Sequence, residues 1–196
     1  MRPLSALALL LAAALAAGCA PLLIGAATVT ALAVHDRRPA ATVIDDQRIE
    51  SAAYRRFARD PELSRAERRL GVVAHNGIVL LYGEVGVAAH AARAEQLAAG
   101  IDGVRQVVNA IETGPPADGW RLARDAALTA RVKAALLDIT SLPGFDPTRV
   151  NVTSSRGVVY LMGLLRREEA EAVVEVARHV RGVRRVVTVF EYLEGG

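Results

Sequence analysis

Side chains able to carry acid–base, metal or nucleophilic chemistry are few and widely spaced in this sequence of 196 residues. The chain has four histidines and one cysteine: His35, His75, His90, His179 and Cys19. No histidine stands at metal-ligand spacing from another histidine, from the cysteine or from a carboxylate. The sequence also lacks a Gly-x-Ser-x-Gly nucleophile motif and a phosphate-binding glycine loop. We therefore expect no catalytic residue, no metal site and no cofactor, and we expect that the protein is not an enzyme.

Adjacent carboxylates are the other candidates for acid–base chemistry. They occur as Asp45 with Asp46 and as Glu168 with Glu169, each pair near the expected start of a helix. A carboxylate in the first turn of a helix complements the positive end of the helix dipole. The sequence therefore predicts that these pairs, and Asp125 at the place matching Asp46, lie in first helical turns and have a structural role.

Cys19 follows a stretch typical of an export signal. Arg2 supplies a positive charge, and residues 4–17 are almost entirely Leu and Ala. A membrane-spanning helix needs about 20 apolar residues, and this stretch is shorter. It ends in Leu-Ala-Ala-Gly before Cys19, which resembles the lipobox of bacterial lipoproteins. The alternative is an ordinary signal peptide in which the cysteine has no role.

The lipobox resemblance implies a signal peptide of residues 1–18 and an acylated Cys19, with palmitate among the acyl groups. Because Ala20 and not Asp follows the cysteine, the sorting rule for such lipoproteins implies anchoring in the outer membrane, facing the periplasm. Residues 19–44 are the predicted lipidated cysteine and tether. Within them, residues 22–34 are apolar but too short to span a membrane, so they form a spacer or lie along the lipid surface.

The rest of the chain contains an internal repeat. Residues 77–83 match residues 157–163, residues 103–109 match residues 182–188, and residues 46–49 match residues 125–128. Three matches in the same order, at nearly constant separation, indicate two copies of one module. The predicted first copy covers 45–113, the second covers 120–196, and the proline-containing segment 114–119 is the predicted linker.

The sequence pattern of each copy predicts the element order α-β-β-α-β. Apolar residues recur every fourth position in the first segment, as in Ile49, Ala53 and Phe57, which indicates one face of a helix. A hairpin follows, with Asn76-Gly77 as its turn in the first copy. A second helix, at about 87–99 and 167–180, precedes the last strand. The predicted fold class is α+β, with two helices packed on a three-stranded mixed sheet in each copy.

The matched segments resemble the BON domain, a small module of bacterial envelope proteins. Its Gly-x-Val-x-Leu-x-Gly strand corresponds to residues 77–83 and 157–163, and its Gly-Val-x-x-Val-x-Asn/Thr strand to residues 103–109 and 182–188. A lipobox followed by two such domains resembles the dual BON-domain outer-membrane lipoproteins of the division and outer-membrane stress-associated type. This resemblance implies a role in outer-membrane integrity, linked to cell division and stress response. It also implies binding of anionic phospholipid, phosphatidylglycerol or cardiolipin, by the first helix of the second copy.

The candidate phospholipid-binding residues lie on that helix and are Trp120, Arg124, Ala127, Arg131, Lys133 and Leu137. An aromatic ring beside cations suits a lipid headgroup region. The resemblance implies an aromatic residue at the place of Ala127, and Trp120 stands seven residues earlier, about two helical turns. The alternative interpretation is that Trp120 packs at the domain boundary and that the arginines are merely solvated.

Nucleic acid and protein are the other classes of partner that the sequence could serve. The net charge of +3 is modest, and export from the cytoplasm argues against nucleic acid. The alternative function is an interaction module that recruits an envelope protein, in division or outer-membrane assembly, without lipid selectivity.

Overall fold

The computed structural model describes residues 37–66 and 68–193. The predicted signal peptide, Cys19 and most of the predicted tether lie outside these residues. The chain from Arg37 onward forms one compact unit. Among the described residues, no helix combines the length and the hydropathy that a membrane span requires.

The first copy begins with a long helix, α1 (Ala40–Arg59), so its first helix starts five residues before the predicted boundary at residue 45. The elements that follow are a short helix α2 (Pro61–Arg65), strands β1 (Arg68–His75) and β2 (Ile78–Val85), helix α3 (Ala88–Ala99) and strand β3 (Gln106–Thr113). Strands β1 and β2 pair antiparallel, and β2 and β3 pair parallel.

The second copy repeats this arrangement. Its elements are α4 (Gly119–Leu136), a single 3₁₀ turn (Pro147–Arg149), β4 (Asn151–Ser155), β5 (Val158–Leu165), α5 (Arg167–His179) and β6 (Arg185–Tyr192). The sheet order β4-β5-β6 has one antiparallel and one parallel pairing, as in the first copy. The predicted α+β fold with a mixed sheet in each copy is confirmed, while α2 and the 3₁₀ turn were not predicted.

Both hairpin turns place two successive residues in the left-handed region. In the first copy these are Asn76 (φ 52°) and Gly77 (φ 74°), as the Asn-Gly pair predicts. In the second copy they are Arg156 (φ 53°) and Gly157 (φ 76°). For an arginine, the left-handed conformation costs on the order of 1 kcal/mol of conformational free energy. Surrounding contacts must therefore hold Arg156 in it.

Asp46 and Asp125 hold these turns. The Asp46 carboxylate accepts hydrogen bonds from the backbone N–H groups of Asn76 (2.7 Å) and Gly77 (2.8 Å). Asp125 accepts in the same way from Arg156 (3.0 Å) and Gly157 (3.3 Å). The prediction that the two aspartates lie in first helical turns is wrong, because α1 and α4 each begin more than a turn earlier.

The first turns are stabilised by other carboxylates. Asp118 caps α4, since its side chain accepts from the N–H of Arg121 at 2.8 Å. Glu168 and Glu169 do lie in the first turn of α5, as predicted, and Glu169 accepts from the N–H of Arg166 at 2.8 Å. Asp45 also lies beyond the first turn of α1, so its predicted place is wrong too; it is exposed and pairs with Arg48 at 2.9 Å.

Each copy has its own apolar core between its helices and one face of its sheet. The other faces of the two sheets pack against each other through Ile78 and Leu80 of β2 and Val158, Tyr160 and Met162 of β5. Strands β2 and β5 are therefore buried on both faces, which explains why their sequences are almost continuously apolar. The two copies form one body joined by an apolar interface.

Equivalent polar contacts border this interface on both sides. The Asn76 side chain donates to Glu191 at 2.8 Å, so the hairpin turn of the first copy meets the last strand of the second. In the reverse direction, the Nε of Arg156 lies 3.2 Å from Glu112 in the last strand of the first copy. Asn76 corresponds to Arg156 in the repeat, and Glu112 to Glu191, so an approximate two-fold axis relates the copies.

Residues at the end of the predicted tether contact both copies. The Arg37 guanidinium donates to both carboxylate oxygens of Glu169, each at 2.6 Å, and Arg38 donates to Asp46 at 2.6 Å. The hydrogen bonds from Arg37 hold the pKa of Glu169 below its ordinary value of 4.5. The chain thus enters the folded unit through ion pairs with the first and the second copy.

Candidate functional site

Four of the six candidate lipid-binding residues form one stripe along α4. Trp120, Arg124, Ala127 and Arg131 are spaced at four, three and four residues, which places them above one another on a helix. Because α4 begins at Gly119, Trp120 belongs to its first turn. The Trp120 side chain is 74% exposed and does not pack into a core.

Lys133 and Leu137 lie away from this stripe. At about 100° per residue, Lys133 projects about 200° round the helix from Arg131. Leu137 is the C-terminal cap of α4, about 25 Å along the axis from Trp120, and is 66% exposed. The structure therefore does not bring these two side chains together with the other four.

Three residues of the stripe, Arg124, Ala127 and Arg131, line one wall of a groove of about 430 Å³, and Trp120 lies outside its lining. The other walls are the turn between β4 and β5 and the loop that leads to β6. We call it the arginine groove after the five guanidinium side chains that line it, Arg121, Arg124, Arg131, Arg156 and Arg184. One carboxylate, Asp125, also lines it, and its oxygens already accept the two N–H groups of the hairpin turn.

Several of these guanidinium groups have donors without an acceptor in the part of the chain that the structure describes. Nη1 of Arg121 is buried without a hydrogen-bond partner among the described residues. Within the same residues, no carboxylate forms an ion pair with Arg124, Arg131 or Arg184. A buried donor left unpaired costs about 1–3 kcal/mol, more when it is charged. Guanidinium groups bind carboxylate and phosphate oxygens in pairs, so the groove is suited to an anionic ligand.

The first copy helps to form the groove through Arg156. Besides the contact with Glu112, Nη1 of Arg156 lies 3.9 Å from Oε1 of Glu84. Glu84 is buried, and its other oxygen accepts from the N–H of Ala117 at 3.2 Å. These contacts explain how Arg156 is kept in its left-handed conformation at the edge of the groove.

The first copy has an equivalent groove with a different lining. It measures about 680 Å³ and lies between α1, the turn at Gly77 and the loop at Gly103. The repeat places Thr42, Asp45, Ala52 and Asn76 where the second copy has Arg121, Arg124, Arg131 and Arg156. Its own arginines are Arg48, Arg55, Arg56 and Arg105.

Most of the arginines in this equivalent groove are engaged with the protein. Arg48 pairs with Asp45 at 2.9 Å and Arg105 pairs with Glu191 at 2.9 Å. Arg56 donates to the carbonyl of Leu97 at 3.1 Å. The unengaged cations that mark the second copy are therefore largely missing from the first.

The sequence did not indicate that Arg156 and Arg184 join the helix arginines, because they come from a hairpin and a loop far along the chain. One signal was available. In the repeat, Arg156 stands where the first copy has Asn76, and asparagine tolerates a left-handed turn better than arginine does. An arginine at a turn position that disfavours its backbone conformation suggests that its side chain makes a contact elsewhere in the fold.

The chain matches one protein-family model and is similar to known proteins over most of its length. The model of the BON domain matches residues 45–115 and again residues 124–194. The chain is 33% identical over 195 residues to "Outer membrane lipoprotein DolP" of Haemophilus influenzae, covering 99% of each protein. It is 36% identical over 159 residues to "21 kDa hemolysin" of Actinobacillus pleuropneumoniae, covering 81% of this chain and 80% of that one.

A solved structure of CdsD, a structural protein of the type III secretion system of Chlamydia trachomatis, is a more distant match. It is 12% identical, with a TM-score of 0.30 over 73% of this chain and 91% of that one. The family model and the full-length relative carry the assignment: this chain belongs to the BON-domain family and contains two BON domains.

Proposed function

We propose that this protein is a non-enzymatic lipoprotein of the outer membrane that supports envelope integrity, and that its second copy binds anionic phospholipid in the arginine groove. The proposed location is supported by the lipobox at Cys19 and by the full-length similarity to an outer membrane lipoprotein. The observation that carries the proposed binding is the groove itself, with five arginines, one engaged carboxylate and a buried guanidinium nitrogen that has no acceptor among residues 37–66 and 68–193.

The proposed contact combines a phosphate with a membrane surface. Phosphate oxygens of a headgroup accept from Arg121, Arg124 and Arg131, which replaces the missing protein acceptors. Trp120, exposed at the start of the same stripe, lies in the headgroup layer, where amphipathic rings are favoured. Each cation near an anionic membrane contributes about 1 kcal/mol, so a few arginines are enough to orient a protein that its anchor keeps close.

Trp120 makes this proposal easy to test because it is the only tryptophan of the chain. Residues 37–196 contain both cores and the interface between the copies, so this unlipidated fragment is suitable for vesicle binding. We expect its tryptophan emission to shift to the blue with phosphatidylglycerol or cardiolipin vesicles and to stay unchanged with phosphatidylcholine vesicles.

Charge reversal should abolish this shift when it is made in the groove. Arg124→Glu with Arg131→Glu reverses two cations of the stripe, and the expected loss of affinity is at least about 100-fold. The matched control is Arg55→Glu with Arg59→Glu on α1, which makes the same change of charge on the first helix of the first copy. Binding that survives in the groove variant, or that is lost equally in the control, would contradict the proposal.

The second candidate function is recruitment of an envelope protein, in division or outer-membrane assembly. It is favoured by exposed apolar side chains of the first copy, namely Ile44 (50% exposed), Tyr54 (46%) and Val87 (50%). In-cell crosslinking from residue 54 or 87 tests it. One specific protein partner, together with no preference for anionic vesicles, would favour recruitment over lipid binding.

A further inference from the structure

The arginine groove adjoins a second cavity of the second copy, also of about 430 Å³. This neighbouring cavity is lined by Glu112, Arg156, Val158, Arg184 and Arg185. Arg156 and Arg184 line both cavities, so their two guanidinium groups stand between them.

Cations also outnumber carboxylates in the neighbouring cavity. Its one carboxylate, Glu112, lies 3.2 Å from Nε of Arg156 and is thereby neutralised. No carboxylate of the described residues forms an ion pair with Arg184 or Arg185. Each cavity thus has arginines available for one phosphate group.

The shared arginines can serve two phosphates at once. A guanidinium group has five N–H donors in a fixed fork and no acceptor, so its opposite edges can face different anions. The first copy lacks this arrangement: Gln106 occupies the place of Arg185, and Asn76 that of Arg156.

We infer that the second copy prefers a phospholipid with two phosphates joined by one glycerol, which is the headgroup of cardiolipin, over a phospholipid with one phosphate. One phosphate lies in the arginine groove and the other in the neighbouring cavity beside Arg185, with Arg156 and Arg184 between them. This inference rests on the proposed lipid binding and specifies its ligand. One molecule of a lipid with a single phosphate fills only one of the two cavities, so filling both requires a second molecule.

The test compares vesicles of equal surface charge. Residues 37–196 are titrated with vesicles containing phosphatidylglycerol, and with vesicles containing cardiolipin at half that molar fraction, while the emission of Trp120 is followed. A second charge-assisted set of hydrogen bonds predicts an affinity about tenfold higher for the cardiolipin vesicles. Arg185→Gln should bring the ratio of the two affinities close to one, because it lowers the affinity for cardiolipin vesicles more than the affinity for phosphatidylglycerol vesicles.

Arg181→Gln is the matched control, because Arg181 is an exposed neighbour that lines neither cavity. This variant should keep the preference for cardiolipin. Equal affinities of the unmodified fragment at equal charge would overturn the inference, and so would a preference that persists in Arg185→Gln. In both cases the proposed function would stand as long as anionic vesicles still bind and Arg124→Glu with Arg131→Glu still abolishes binding. Loss of all vesicle binding would instead refute the proposed function.

Discussion

The arginine groove of the second copy and its counterpart in the first share their framework and differ in their charge. In both, an aspartate of the first helix, Asp46 or Asp125, accepts hydrogen bonds from the N–H groups of the hairpin turn. The residues that differ are those that line the cavity, where Thr42, Asp45, Ala52 and Asn76 are replaced by arginines. The residues that the two copies share maintain the fold, and the substituted ones supply the cations on which the proposed anion binding depends.

Trp120 extends the same contrast. At the equivalent place the first copy has Ala41, which cannot anchor in a headgroup layer. The second copy therefore combines unengaged cations with an exposed aromatic ring, whereas the arginines of the first are mostly engaged with the protein.

The largest expected effect comes from moving the charge between the grooves. In the Arg124→Glu, Arg131→Glu background, adding Thr42→Arg, Asp45→Arg and Ala52→Arg gives the first copy the missing cations. At about 1 kcal/mol for each added cation near an anionic membrane, affinity should recover by about 100-fold. Vesicle co-sedimentation measures it, and Thr42→Gln with Ala52→Gln is the uncharged control. If affinity does not recover, the charge of the groove does not explain the proposed difference in lipid binding between the two copies.

A smaller effect is expected from the aspartates that both copies share. Asp125→Ala leaves the N–H groups of Arg156 and Gly157 without acceptors, which should lower the free energy of unfolding by about 2 kcal/mol. Asp46→Ala should cost more, because Asp46 also pairs with Arg38. Urea denaturation measures both values, with the exposed Asp45→Ala as a control that changes stability by less than about 0.5 kcal/mol. A negligible loss of unfolding free energy for Asp125→Ala would contradict the claim that Asp46 and Asp125 have equivalent structural roles in the two copies.

The smallest effect concerns the ion pair between Arg37 and Glu169, which only the second copy has. The repeat places His90 where the second copy has Glu169. Because Arg37 lowers the pKa of Glu169 in the folded state, the pair stabilises the protein above the ordinary carboxyl pKa of 4.5. That contribution is lost as pH falls below 4.5 and Glu169 takes up a proton.

Thermal unfolding of the wild type and of Arg37→Gln at a series of pH values tests this asymmetry. The wild type should be the more stable at neutral pH, and its advantage should shrink as pH falls below 4.5. Asp60, whose pKa is lowered by the N–H of Leu63 and by Arg93, titrates alike in both proteins, so the difference isolates Glu169. An advantage that stays constant with pH would contradict the proposed linkage.

Local patterns in the sequence were sufficient to predict most of the fold. Apolar spacing identified the buried face of α1, and Asn76-Gly77 identified the first hairpin turn, because both signals lie within a few residues. The roles of Asp46 and Asp125 were predicted wrongly, since their partners are about thirty residues away. The packing of the two sheets was also missed, although the continuous apolar runs of β2 and β5 are typical of strands buried on both faces.

The candidate site was predicted only where it follows one helix. Trp120, Arg124, Ala127 and Arg131 lie together because helical spacing is readable from the sequence. Arg156 and Arg184 were not connected with them, because only the folded chain brings a hairpin turn and a loop beside α4. Lipidation at Cys19 stays a prediction, as do the domain boundaries.

The most direct test of the central claim, that the arginine groove and not its counterpart receives the anionic headgroup, is an amide NMR titration of residues 37–196 with phosphatidylglycerol micelles. We expect shifts for the N–H groups of Gly157 and Gly182 and for the first half of α4, with Gly77 and Gly103 unchanged. Shifts of equal size at Gly77 and Gly103, or shifts confined to the first copy, would contradict it.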